Sequence, residues 1–141
     1  MEIYRVNKIW QLADVYDIRR KTKIDGVQVP RQSEFDEEYD KKYNYILIHE
    51  NDIPVGTTRL NLANKEFGKI ERVSVIEKFQ SKGYGKKLIE SAEAWVKDVG
   101  LSKIVITSLP SAEGFYEKQG YKKTRIYKGL DRDLIYMEKI I

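Results

Sequence analysis

From Arg72 to Leu88 the chain reads Arg-Val-Ser-Val-Ile-Glu-Lys-Phe-Gln-Ser-Lys-Gly-Tyr-Gly-Lys-Lys-Leu, a β-strand that enters a glycine-bearing turn and opens directly into a helix. Gly83 and Gly85 lack a Cβ, so the backbone there can take unusual φ/ψ values and approach a ligand closely. The first N–H groups of the following helix have no intrahelical acceptor, and an anion is their natural partner. Gln80 and Ser81 add neutral donors, while Lys82, Lys86 and Lys87 surround the turn with positive charge. A pyrophosphate or a 3′-phosphate suits such a turn.

Spacing narrows the ligand. A nucleotide-binding P-loop needs Gly-x-x-x-x-Gly-Lys-Ser/Thr, but Lys87 follows Gly85-Lys86 and Gln80 stands at the first glycine position. The dinucleotide fingerprint Gly-x-Gly-x-x-Gly needs glycine or alanine where Leu88 stands.

What remains is Gln80-x-x-Gly83-x-Gly85 after a strand ending Val73-Ser-Val75. It closely resembles motif A of the GNAT superfamily of acetyl-CoA-dependent N-acetyltransferases, Gln/Arg-x-x-Gly-x-Gly/Ala. Downstream, Ala112, Phe115, Tyr116, Gly120 and Tyr121 resemble the second signature of that superfamily, Ala-x-x-Phe-Tyr-x-x-x-Gly-Phe, with Tyr121 in place of the final Phe. Arg19, Val29-Pro30 and Glu34-x-Asp36-Glu37 further resemble a subgroup of small bacterial GNAT proteins. Two departures stand out: Lys23-Ile24 and Gly26-Val27 replace a Phe-Val and a Glu-Gln pair of the subgroup, and Leu109 replaces an Asn found in many members.

The resemblance implies a mixed, mostly antiparallel central sheet flanked by helices on both faces. It implies acetyl-CoA as donor and co-substrate, with Gln80, Ser81, Lys82, Gly83, Tyr84, Gly85 and Lys86 on its phosphates. The backbone of Val73 and Val75 would meet the thioester and pantetheine, because in the family this strand splays from its neighbour. Tyr116 matches the tyrosine near the thioester sulfur, whose phenol can give the departing thiolate a proton. Glu71 is the candidate base or water-holder, and beside Lys69 and Arg72 it reads equally as a surface ion pair.

Composition agrees with a single globular domain. One domain over residues 1–141 with 41% apolar residues has enough material for a core. No apolar run near the length of a membrane span occurs, no signal-peptide layout opens the chain, and there are no cysteines, so a cytoplasmic protein is expected. The single histidine, His49, argues against a zinc cluster or a Ser-His-Asp triad, and no metal is expected. A net charge of +4 is dispersed among 26 basic and 22 acidic residues, which gives no basis for a specific nucleic-acid partner.

Hydrophobic periodicity predicts a strand at residues 2–6 and a helix capped by Asn7 with Ile9, Leu12, Ala13 and Tyr16 inward. A short helix from Ser33 toward Tyr43 follows, then a hairpin of strands 45–50 and 55–62 and a strand near 69–76. The long helix 84–99 shows Leu88, Ala92, Trp95, Val96 and Val99 in one stripe, and Gly100 stops it. A strand at 103–107, a helix capped by Ser111 and running through Gln119, and strands at 121–128 and 132–140 complete the chain.

The function expected is acetyl transfer to a primary amine by direct attack in a ternary complex, since no cysteine is present to carry the acyl group. A small-molecule amine is the first acceptor, of polyamine-like character if the acidic run Glu34, Asp36, Glu37, Glu38, Asp40 collects cations; a protein amine stands second. A homodimer is left open. The alternative is a CoA or acyl-CoA sensor without turnover, which needs the phosphate turn but no proton donor.

Overall fold

The computed structural model describes all 141 residues. Its elements are β1 (Glu2–Arg5), α1 (Ile9–Arg20), β2 (Lys23–Ile24), β3 (Val27–Gln28), α2 (Arg31–Glu34), β4 (Asn44–Glu50), β5 (Ile53–Asn61), β6 (Gly68–Val75), α3 (Tyr84–Asp98), β7 (Lys103–Ser108), α4 (Glu113–Glu117), β8 (Lys122–Lys128) and β9 (Asp133–Ile140). Single 3-10 turns lie at Glu77–Phe79 and Pro110–Ala112. Seven strands form one sheet in the order β1-β4-β5-β6-β7-β9-β8, antiparallel at every step except β6–β7.

Strand β4 shows why both faces are covered. Successive side chains alternate across a strand, and here both sets are apolar. Tyr45 and Leu47 turn to α1 and pack with its Val15 and Ile18. Ile46 and Ile48 turn the other way, into the core with Leu88, Ile89, Ala92 and Val96 of α3. Each fully buried aliphatic side chain contributes about 1.5–3 kcal/mol. The mixed, mostly antiparallel sheet between helices is therefore the architecture expected.

Several expectations need correction. Helix α1 presents Gln11, Val15, Ile18 and Arg19 inward, while Ile9 is 82% exposed and Ala13 also faces out. Val15 and Ile18 meet Leu47 and Tyr45, and that contact rotates the helix from the stripe its first turn suggests. Asn7 does not cap it; the Gln11 Oε1 accepts from the Asn7 and Lys8 N–H groups at 2.8 and 3.1 Å. In α3 the buried stripe includes Ile89, and Val99 lies past the last turn, 48% exposed.

The helix expected from Ser33 to Tyr43 is a single turn, Arg31–Glu34, begun by Pro30 at its N-cap. Residues 35–43 run outside regular structure because Glu34, Asp36 and Glu37 all reach toward one set of arginines, which a helix would prevent by turning them in different directions. The helix after Ser111 is likewise shorter than expected, a 3-10 turn followed by Glu113–Glu117. An unexpected hairpin, β2–β3, turns on Asp25 and Gly26 with φ of 50° and 82°, as a two-residue type I′ loop requires.

Candidate active site

Strands β6 and β7 part company midway. Their parallel pairing covers Gly68–Ile104, Lys69–Val105 and Ile70–Ile106 and goes no further. Beyond it β7 continues against β9 to Ser108, and β6 continues against β5 to Val75. The β5–β6 register shifts between Thr57 and Arg59, a bulge at which Arg72 takes a φ of 52°. Between the diverging strands lies a cleft of about 350 Å³, lined by Glu71, Val73, Ser108 and Tyr116 among others. The β2–β3 hairpin spans its two sides. Thr22 Oγ1 and Ser74 Oγ are 2.9 Å apart, and Ser111 Oγ donates to Asp25 Oδ1 at 3.0 Å. Ser111, expected to cap α4, ties the hairpin instead.

The glycine turn runs from the end of β6 into α3. None of the N–H groups from Ser81 to Lys86 has an acceptor within the chain; the next, that of Lys87, bonds the Gly83 carbonyl at 3.2 Å. Gly83 is in the left-handed region at φ 91°, and a Cβ built there would meet nothing within 4 Å. Such a run of unbonded donors around an open left-handed glycine forms a concavity for an anion. A Cβ on Gly85 would instead stand 3.0 Å from the Phe115 ring, so this glycine lets α3 and α4 meet. Gln80 serves as a tie, its Nε2 donating to the Val75 carbonyl at 3.0 Å. The Lys82 ammonium lies 5.8 Å from the Phe79 ring centroid, Tyr84 packs edge-on to Phe79, and Lys86 is exposed. The turn is thus an open concavity of unbonded N–H groups with lysines beside it, suited to an anion.

Tyr116 is 7% exposed, its ring 5.0 Å from that of Phe115 and 6.0 Å from that of Tyr121. Its hydroxyl makes no hydrogen bond within the chain, and burial pushes its pKa up to about 12. The phenol is therefore a protonated donor at the cleft. Thr107 Oγ1, in the same lining, is buried without a partner. Glu71 shares the cleft with Tyr116 but is engaged: Arg59 Nε donates to its Oε1 at 3.4 Å, and Lys69 lies at 3.9 Å.

Arginines tie down the acidic segment. Arg19 is 1% exposed; its Nε and Nη2 donate to Glu34 Oε1 and the Glu34 carbonyl at 3.1 and 2.7 Å, and its Nη1 and Nη2 donate to Glu37. Tyr45 donates to Glu37 at 2.6 Å. Arg59 takes Asp36 bidentately at 2.7 and 3.2 Å, and Arg72 reaches Asp36 at 3.1 Å and Glu34 at 3.5 Å. The expectation that this run attracts cations is corrected, since Glu34, Asp36 and Glu37 are already neutralised and Glu38 pairs with Lys41 at 3.2 Å. Arg59 and Arg72 had no sequence signal for this role, and the Asp25–Gly26 dipeptide did signal the missed hairpin.

His49 is a buried strand residue whose Nε2 lies 2.9 Å from Asp14 Oδ2. Glu2, His49 and Asp52 place donor atoms within 4.8 Å of one another, and none of them lines the cleft. No helix is long and apolar enough to cross a membrane.

The model of the acetyltransferase (GNAT) family matches residues 12–121, a span that contains the splayed strand, the glycine turn and Tyr116. The chain belongs to the GNAT family. A Bacillus subtilis (strain 168) protein named as a candidate acetyltransferase is 30% identical over 125 residues, covering 86% of this chain and 84% of that one. Among solved GNAT-like folds, a candidate N-acetyltransferase of Lactobacillus plantarum superposes with a TM-score of 0.89 at 23% identity, over 99% of this chain and 97% of that one. A GNAT acetyltransferase of Elizabethkingia anophelis, solved with acetyl-CoA bound, gives 0.65 at 24% identity over 70% and 76%. In this GNAT chain Ala112 and Tyr116 of the second signature line the cleft together with Val73 of the strand that leads into the glycine turn.

Proposed function

We propose that this protein is an acetyl-CoA-dependent N-acetyltransferase, a single domain that moves the acetyl group to a primary amine by direct attack in a ternary complex. The observation that carries the reading is the Tyr116 hydroxyl, protonated and without a partner at the end of a buried ring, in the cleft where β6 leaves β7. The glycine turn at the end of β6 supplies the N–H groups for the CoA phosphates. The backbone of Val73 and Val75, beyond the last β6–β7 pair, is assigned to the pantetheine amides and thioester carbonyl, and a donor aimed at that oxygen stabilises the charge that develops there.

The acceptor arrives as an ammonium ion and gives one proton to Glu71, directly or through a water. The neutral nitrogen bonds to the thioester carbon, the carbon–sulfur bond breaks, and the thiolate takes the Tyr116 proton. The second nitrogen proton restores the phenol, and Glu71 returns its proton to solvent, so one proton is released per amide formed. A sensor has no use for an unbonded phenol in this place. The test is free-thiol release from acetyl-CoA across a panel of primary amines. Turnover with at least one amine supports the reading; CoA binding with no turnover on any amine replaces it with the sensor.

A further inference from the structure

Five charged residues line the cleft: Lys23, Glu34, Glu71, Arg72 and, exposed, Arg132. Their pairing is unequal. Glu34 lies 3.1 Å from Arg19 and 3.5 Å from Arg72, and Glu71 lies 3.4 Å from Arg59 and 3.9 Å from Lys69. Arg72 has Asp36 at 3.1 Å as well. Both carboxylates of the lining are thus taken by arginines, and so is Arg72. Lys23 meets only Glu77, at 3.3 Å, with the two side chains 49% and 77% exposed, a pair that water screens almost fully. Arg132 has no carboxylate within 4 Å; only its carbonyl is engaged, accepting from the Gly129 N–H at 3.2 Å. The lining has two cations to spare and no anion.

We infer that the amine accepted in this cleft also carries an anionic group, a carboxylate or a phosphate, and that Arg132, aided by Lys23, receives it. The planar guanidinium fork matches either group bidentately. The same surplus charge disfavours an ammonium ion in the cleft and lowers the pKa of a bound amine, which favours the nucleophilic form. A polycation meets repulsion there. This inference rests on the acetyltransferase reading for the identity of the ligand as an acceptor, but the binding it describes is measurable without turnover.

The experiment uses the whole protein saturated with CoA and a panel of primary amines in matched pairs. Amino acids are set against their amides, and phosphorylated amino alcohols against the free amino alcohols, so that the two arms separate carboxylate from phosphate. Calorimetry should find binders among the anionic members, each tighter than its neutral partner by about 10- to 100-fold, the range for a hydrogen bond to a charged group. Arg132→Gln should remove that preference and leave CoA affinity unchanged. Neutral or polycationic amines binding as tightly as anionic ones, no anionic binder at all, or an Arg132→Gln variant that loses CoA instead would overturn it. The same panel with acetyl-CoA separates the two readings: anion-selective binding without thiol release keeps this inference and sinks acetyl transfer.

Discussion

The Arg19 guanidinium and the Glu34 carboxylate meet at 3.1 Å with their side chains only 1% and 4% exposed, which makes them the innermost ion pair of the molecule. Removing one member of a buried pair strands the other charge, at a cost of about 3–5 kcal/mol. Arg19→Met should lower the free energy of urea unfolding by that amount. Arg19→Lys keeps the charge but not the fork and should recover only part. A loss near zero for Arg19→Met would show that the α1–α2 tie is dispensable.

Acid should act through the same network. The Asp36 carboxyl is held well below its usual range, first by its hydrogen bond from Arg59 and then by Arg72, against the effect of burial. For Glu37 burial pushes upward, and the hydrogen bonds from Arg19 and Tyr45 outweigh it, so its pKa is also lowered. Both folded-state values lie below the unfolded ones, about 4. The stabilisation is therefore complete above about pH 5 and is lost as pH falls through the lower folded values. The urea midpoint should stay level from neutral pH to about 5 and fall below about 4, and Asp36→Asn should flatten the fall.

How far the sequence foretold this is clearest in particular residues. The alternation in β4, the stripe of α3 and the spacing of Gln80, Gly83 and Gly85 announced the layers and the turn because each depends on local periodicity or local backbone freedom. The arginine ties did not show, since Arg59 and Arg72 find Asp36 only after three distant segments come together. Nor did the bulge, because nothing in Glu71-Arg72-Val73 marks a left-handed arginine. The motif marks Gln80 as a ligand donor but gives no sign that its amide also holds the strand end.

Tyr116→Phe should lower kcat for acetyl transfer by about 10²- to 10⁴-fold, the usual contribution of a general acid, while acetyl-CoA affinity stays near wild type. The ring and its packing on Phe115 and Tyr121 survive the change. Since the folded pKa is about 12, wild-type kcat should show no alkaline decline from this group below about pH 11. Wild-type turnover by the variant would reduce Tyr116 to a core aromatic.

Gly83→Ala should fold with an unchanged circular dichroism spectrum, at a strain of about 1–2 kcal/mol for the left-handed position. Its methyl group enters open space beside the free N–H groups, so CoA affinity should drop at least about tenfold by calorimetry. Gly85→Ala presses on Phe115, the neighbour of Tyr116, and should lower kcat as well as binding. Full CoA affinity in a folded Gly83→Ala variant would move the phosphates elsewhere.

The bulge in β6 gives the strand one residue more than its core face needs. Ile70, Val73 and Val75 all lie against the core beneath α3, so two residues rather than one separate the first from the second. Those two, Glu71 and Arg72, both carry their charge to the opposite face, where Arg59, Glu34 and Asp36 receive them. A substitution at either position alters only that residue's own ion pairs. Loss of one of the two residues would restore regular alternation and register with β5, leave Val73 and Val75 on the core face, and remove one of the two charges from the other face. The extra residue therefore serves the ion pairs rather than the core, and a natural variant with β6 one residue shorter would need a different acid–arginine arrangement to keep the same cleft.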